Sequence, residues 1–251
     1  MSGWRSALTS RDAPVSDPPR WRRLLPALGY AAGVAVPVTG LALLVRARVD
    51  GVLPVDQALI DAATAVTRAD PGLRGVLLAW QEVFQPRWVY LAGAGVAVWV
   101  WRRHGLTGRA LWGFVTMMAA WNLALDLKYV VQRARPVVLD PVSHAPGYSF
   151  PSGHAANVAA AGTVVTVMLW PVLRSRAART ATVVAAATVV TVTALDRVLL
   201  GVHFPTDVAA GVLLGSGLAL ASYAGYRGWH PVHPAAHPGR SGPLRHTPKE
   251  V

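Results

Sequence analysis

The chain has 251 residues, 53% of them hydrophobic and only 14% charged, against about 25% charged in an ordinary soluble domain, so the composition is that of a membrane protein. It contains no cysteine, which excludes disulfides, thiolate metal sites and cysteine nucleophiles. The formal net charge of +12 fits either nucleic-acid binding or arginine-rich cytoplasmic loops, and the placement of the charges decides between them.

Residues 1–23 are polar and proline-bearing and read as a cytoplasmic N-terminal segment. The first charge-free apolar run, Leu24 to Val45, is longer than a signal-peptide core and has no small-residue cleavage site behind it, so it is expected to span the membrane. The stretch 46–87 balances five Arg with five acids and is expected to form a surface helix outside the bilayer. Trp88 to Trp101 is a short second span, either extended backwards into Val76–Phe84 or helped across by Trp and Arg at its ends. Ala110–Leu125, Ala155–Leu173, Ala181–Leu195 and Val208–Tyr226 complete six spans. Trp88, Trp101 and Trp170, near span ends, read as an interfacial belt. Residues 227–251, rich in Pro, Gly and His, read as a disordered cytoplasmic tail. The fold expected is an all-α, six-transmembrane helix bundle over 24–226, with no internal repeat.

With a cytoplasmic N-terminus, the inner side collects fifteen Lys and Arg against three acids, Asp12, Asp17 and Glu250, while the outer side holds nine of each sign. The whole positive excess then lies inside, as the positive-inside rule requires of an even number of spans with both termini cytoplasmic. No basic stripe with interleaved aromatics sits on a soluble face, so no nucleic-acid partner is expected.

Three outer segments concentrate polar groups at one membrane level. The first runs from Lys128 through Arg133 to Arg135-Pro136, the second is Pro151-Ser152-Gly153-His154, and the third runs from Arg197 through His203 to Asp207. Singly, such cations read as headgroup anchors. Together, Lys128, Arg135 and Arg197 supply fixed positive charge suited to phosphate oxygens. Ser152 reads as a helix cap, and Gly153 lets an anion approach free backbone N–H groups at the helix start. His203 and Asp207, four positions apart, suit a carboxylate that holds one ring nitrogen and leaves the other free to attack; His154 is then available as general acid.

These segments resemble the signature of the type 2 phosphatidic acid phosphatase superfamily, which also includes bacterial acid phosphatases and vanadium haloperoxidases. That pattern is a Lys, six residues, Arg-Pro; Pro-Ser-Gly-His; then Ser-Arg, five residues, His, three residues, Asp. Lys128, Arg135 and Pro136 match the first block, Pro151 to His154 the second, and Arg197, His203 and Asp207 the third. The likeness is densest over 128–211. One position departs: Asp196 stands where the family usually has Ser, so it must turn away from a bound phosphate, pair with Arg197 or Arg133, or be protonated.

The resemblance implies a membrane lipid phosphate or diphosphate phosphatase with its site at the extracytoplasmic end. Undecaprenyl diphosphate, phosphatidylglycerophosphate and phosphatidate are the implied substrate classes. Lys128, Arg135, Arg197, Ser152 and Gly153 would hold the phosphate, His203 would form a phosphohistidine, and His154 would protonate the leaving oxygen. No metal and no cofactor is implied, because the cations and N–H groups stabilise the equatorial oxygens. Unequal environments for the two histidines and a bell-shaped pH profile are expected. The competing readings are a vanadate-dependent haloperoxidase, against which the multiple spans argue, and a non-catalytic lipid carrier or flippase, against which the complete His203, Asp207 and His154 set argues. His230, His233 and His237 are interleaved with prolines and are not read as a metal site. His144 is a candidate headgroup contact, while Asn122, Asp126 and Arg133 are explained by pairing or solvation. No pattern in the sequence speaks to oligomeric state.

Overall fold

A computed structural model of the chain describes residues 19–48, 51–138 and 141–229. The described residues form eight helices and no strand: α1 (Arg20–Arg46), α2 (Val52–Ala69), α3 (Pro71–Val83), α4 (Pro86–His104), α5 (Thr107–Val131), α6 (Gly153–Leu169), α7 (Arg176–Leu199) and α8 (Pro205–Trp229). α1 begins at Arg20, ahead of the expected Leu24. The remainder of the expected N-terminal segment, and the tail from His230 with its histidines, lie outside the described residues.

Local signals explain the breaks. The expected surface segment is two helices instead of one, because Asp70 ends α2 and caps α3, its carboxylate accepting from Leu73 N–H at 3.0 Å with Pro71 at the first helical position. Pro86 starts α4, so the second apolar run does not extend backwards: Phe84 and Gln85 separate it from α3. Ser175 caps α7 through Ala178 N–H at 3.1 Å. α6 stops at Leu169, short of the expected Leu173.

α1 from Leu24, α5, α7 and α8 are each long and apolar enough to cross a membrane, and α6 is a shorter apolar helix. Large apolar side chains such as Leu28, Val36, Leu43, Leu111, Val115 and Val184 point outward, as they do where lipid replaces water and association relies on packing. The protein is a multi-pass membrane protein with an all-helical bundle.

α6 and α8 occupy the centre. α8 packs on α1, α5 and α6, and α6 packs on α4, α5 and α7 as well. Small residues allow this. A Cβ at Gly211 would lie 2.6 Å from Ser152 O, and one at Gly215 would run into Ala156 O, so the two helices meet backbone to backbone. α2 and α3 lie against α7, with α2 also reaching α8. α2 is amphipathic with a polar buried face: Asp56, Thr64 and Thr67 are buried beside Ile60.

Candidate active site

The C-terminal ends of α5 and α7 and the N-terminal ends of α6 and α8 converge at one end of the bundle. A cavity of about 200 Å³ there is lined by Lys128, Arg135, Gly153, His154, Arg197 and His203, together with Trp121, Asn157 and Pro146. Ser152 and Asp207 are buried behind this wall. All eight residues singled out from the three motifs therefore meet, although Lys128 and Asp207 lie far apart in the chain.

Backbone bonds stitch the motifs together. Ser152 N–H donates to Asp207 O at 2.9 Å, Ser149 N–H to Arg133 O at 2.8 Å, and His203 N–H to Arg197 O at 3.3 Å. The turn carrying His203 is pinned from α2, where Thr67 Oγ1 donates to Leu199 O at 2.8 Å. Gly201 sits in this turn with φ +73°, and a Cβ there would meet Thr64 Cγ2 at 2.7 Å, so only glycine suits both conformation and space.

The cations are held differently from one another. Lys128 Nζ donates to Tyr148 O at 2.8 Å. Arg135 ties two loops together, donating to Pro146 O (2.9 Å), Gly147 O (3.0 Å) and Val202 O (2.8 Å), and its Nη1 lies 3.4 Å from His203 Nε2. Burial lowers its pKa from the usual arginine value, with Asp207 pulling it back up. Arg197 donates from Nε (2.9 Å) and Nη2 to Asp196 and from Nη1 to Gln81 Oε1 (2.9 Å). Of the three arrangements open to Asp196, pairing with its neighbour Arg197 is the one adopted, both residues being fully buried.

Asp207 does not grip His203 directly. Its Oδ2 is 3.7 Å from His203 Nδ1, beyond hydrogen-bond reach. Ser149 fills the gap: its hydroxyl donates to Asp207 Oδ2, and its Oγ lies 3.4 Å from His203 Nδ1. Asp207 Oδ2 also accepts from Phe204 N–H at 3.0 Å. Burial pushes the His203 imidazole down to about 4, against the upward pull of Asp207 and with Lys128 and Arg135 adding to the fall. At neutral pH the ring is therefore uncharged and its Nε2 lone pair is available.

Ser152 departs from expectation. It occupies the N-cap position of α6, yet its side chain makes no cap bond; its backbone N–H donates to Asp207 O and its C=O accepts from Ala156 N–H. Its Oγ and His154 Nε2 are buried with no partner. A Cβ on Gly153 would touch only Lys128 Cε, at 3.8 Å, so protein packing does not account for the space kept there. Buried polar atoms without partners, first-turn N–H groups without intrahelical acceptors, and clustered cations together suit a tetrahedral anion.

Sequence reasoning missed Ser149, Gln81 and Asp56, and undervalued Arg133. Arg133 is buried, its Nη2 2.7 Å from Asp56 Oδ2 and its Nη1 2.6 Å from Asp207 Oδ1, with its guanidinium 4.0 Å above the Phe204 ring. Pairing was among the explanations open for Arg133, and with Asp56 and Asp207 as partners it is buried behind the wall of the pocket. Breaking such a buried pair by removing one partner costs about 3 to 5 kcal/mol. Asn122 and Asp126 are exposed on α5, and His144 is exposed at an adjoining recess of about 290 Å³ that it shares with Arg135.

Residues 109–230 match the model of the PAP2 superfamily. The chain is 35% identical over 127 residues to a decaprenylphosphoryl-5-phosphoribose phosphatase of Mycolicibacterium smegmatis, covering 49% of this chain and 62% of that one. It is 36% identical over 92 residues to phosphatidylglycerophosphatase B of Bacillus subtilis, covering 36% and 44%. The matches thus span less than two thirds of these relatives' own length. In structure it is similar to a transmembrane PAP2-type phosphatidylglycerolphosphate phosphatase from Bacillus subtilis, with a TM-score of 0.67, 22% identity, and coverage of 79% of this chain and 94% of that one. The motifs fall inside the family match, and residues 109–230 belong to the PAP2 superfamily.

Proposed function

We propose that the protein is an integral membrane phosphatase that removes a phosphoryl group from a lipid phosphate, with His203 as covalent nucleophile and without a metal ion. The observation that carries this reading is a single one: His154, its Nε2 buried and unpartnered, lines the same small cavity as three cations and an uncharged imidazole, with the unpartnered Ser152 Oγ buried beside it in the chain. Buried polar atoms without partners are costly unless a ligand completes them.

The chemistry follows from where the groups stand. Lys128, Arg135, Arg197, Ser152 and the first N–H groups of α6 hold the non-bridging oxygens. His203 Nε2 attacks phosphorus in line, the bond from phosphorus to the lipid oxygen breaks, and His154 gives that oxygen a proton. Asp207 and Ser149 balance the charge that develops on the His203 ring. Water then attacks the phosphohistidine, His154 takes its proton, and inorganic phosphate leaves with both histidines restored. The cations stabilise the equatorial oxygens, a task that metal ions perform in other phosphoryl-transfer enzymes.

Both named relatives carry substrate names describing a phosphate ester on a lipid-linked headgroup, which supports lipid phosphomonoesters such as phosphatidylglycerophosphate ahead of undecaprenyl diphosphate. An apolar groove of about 570 Å³ between α4, α6 and α7 supports entry from the bilayer: it starts at Val158, one turn below His154, and continues to Thr166. Six spans, α1 and α4 to α8, make the phosphatase domain over 24–226, with α2 and α3 outside the bilayer. α6 has 17 residues, about 26 Å of helix, short but close to the hydrocarbon thickness. The positive-inside rule supports cytoplasmic termini and an extracytoplasmic pocket, since Arg102, Arg103, Arg109, Arg174, Arg176 and Arg179 lie in or beside the last and first turns at the other ends of these helices.

The test is phosphate release by purified protein in detergent, from a panel of lipid mono- and diphosphates, with and without EDTA. Release that survives EDTA and is abolished in His203→Ala is expected. A His203→Ala variant as active as the native chain overturns the assignment, and loss of activity in EDTA overturns the metal-free mechanism.

A further inference from the structure

Outside the motif residues, the densest set of buried charge lies directly behind Asp207. Arg133, seven-hundredths exposed at most, bonds two carboxylates at once: Asp207 Oδ1 at 2.6 Å and Asp56 Oδ2 at 2.7 Å. Asp56, on α2, also accepts from Thr206 N–H at 3.2 Å and from the Thr206 hydroxyl, and Thr206 Oγ1 accepts from Arg133 Nη1 at 2.7 Å. Thr206 immediately precedes Asp207, so Asp56 grips the Asp207 backbone segment while Arg133 grips its side chain.

We propose that Asp56 and Arg133 are positioning residues for the reaction: they hold the Oδ1 side of Asp207 so that its Oδ2, with Ser149, fixes the His203 ring in line with phosphorus. The inference rests on His203 being the nucleophile. Three features separate it from a general stabilising ion pair. First, the two oxygens of Asp207 have distinct partners, Arg133 on one, Ser149 and Phe204 N–H on the other, so rotation of the carboxylate breaks bonds on both sides. Second, Arg133 offsets part of the Asp207 charge that His203 would otherwise feel. Third, α2 makes two further contacts with the turn bearing His203, through Thr67 to Leu199 and through Thr64 against Gly201. The charge and side-chain angle of Asp207 are thus set by Arg133, which Asp56 holds from α2, and the position of the loop is set by α2 itself, a helix that carries none of the signature motifs.

The charged and titratable groups around His203 are Asp207 on α8, Lys128 on α5, His154 on α6, Arg197 on α7, and Arg135. Removing Arg133 exposes the ring to the full charge of Asp207 and favours the protonated ring; restoring a cation at that position reverses this. Since Arg133→Gln alone strands two buried carboxylates, the pair Asp56→Asn with Arg133→Gln is made together, beside Arg133→Lys, which keeps the charge but cannot fork across two carboxylates.

The variants are read by lipid phosphatase kinetics across pH and, independently of activity, by NMR titration of the His203 ring, its signal assigned by comparison with His203→Ala. In the double variant kcat falls roughly 10- to 100-fold with KM changed by less than about threefold, and the His203 titration rises by about one pH unit or more towards the ordinary histidine value. Arg133→Lys recovers the titration but only part of kcat. A double variant that merely melts earlier, with the His203 titration and kcat unmoved, overturns the proposal and leaves a plain structural strut. Should the native protein release no phosphate from any lipid, the functional reading fails by itself, while the NMR titration still decides whether Asp56 and Arg133 control His203.

Discussion

The two sides of the pocket are built on opposite plans. On the His203 side, both oxygens of Asp207 are bonded, and Ser149 and Arg135 stand beside the two ring nitrogens of His203. On the His154 side, Ser152 Oγ and His154 Nε2 are equally buried but have no partner. The difference teaches where each kind of work is done. In the proposed reaction a nucleophile must be aimed before substrate arrives, so its surroundings over-determine it; the groups proposed to meet the transferring phosphoryl keep their bonding capacity in reserve, because only interactions gained at the transition state accelerate the reaction.

The contrast can be broken most forcefully at His154. Removing a general acid lowers the rate by about 10²- to 10⁴-fold, and since Nε2 bonds to nothing in the protein, His154→Ala is expected to lose turnover while its thermal midpoint stays within about 4 °C of the native one. A comparable loss of stability would show that the residue is a strut. A sharper comparison sets the two serines against each other. Ser149→Ala removes a bonded hydroxyl from beside a buried carboxylate, a change of about 1 to 3 kcal/mol, and should lower both the melting midpoint and kcat. Ser152→Ala removes an unbonded one and should cut kcat/KM about 10-fold with the midpoint unmoved, one charge-assisted hydrogen bond at the transition state being worth about that much. Equal behaviour of the two would erase the distinction between the sides. The smallest expected effect is at Asp196, whose carboxylate occupies two donors of Arg197 and keeps one buried oxygen, Oδ1, unbonded. Asp196→Asn removes a negative charge beside the anion site, so inorganic phosphate should inhibit about 3- to 10-fold more tightly, a shift of roughly 1 kcal/mol. An unchanged inhibition constant would mean that the Asp196–Arg197 pair is electrically closed to the pocket.

The helices were legible because a spanning segment must satisfy its backbone internally and be apolar along its whole length, a demand that writes itself into consecutive residues. Lys128, Arg135, Ser152, Gly153, His154, Arg197, His203 and Asp207 were legible as a group because their spacing within each motif is local. What escaped reading depends on contacts that span the chain. Asp56 sits in a stretch of balanced charge that reads as a surface helix, and nothing nearby shows that its carboxylate meets Arg133 across 77 positions. Ser149 stands three residues before Ser152 and looks no different from it; only the path of the loop turns one hydroxyl towards Asp207 and leaves the other without a bond. Ser152 does take the N-cap position, but its hydroxyl bonds to nothing, so capping propensity located the helix end without foretelling the bond.

The close passage of α6 and α8 has a consequence for how this architecture can diversify. His154 rides on one of these helices and Asp207 on the other, and at Gly211 and Gly215 no side chain separates their main chains. The gauge between His154 and the carboxylate behind the proposed nucleophile is therefore set by peptide groups in contact, which have almost no freedom to drift. Helices on the rim, α1 and α4 among them, can exchange side chains to suit a different lipid tail or a thicker bilayer while the span across which a proton and a phosphoryl group travel stays the same.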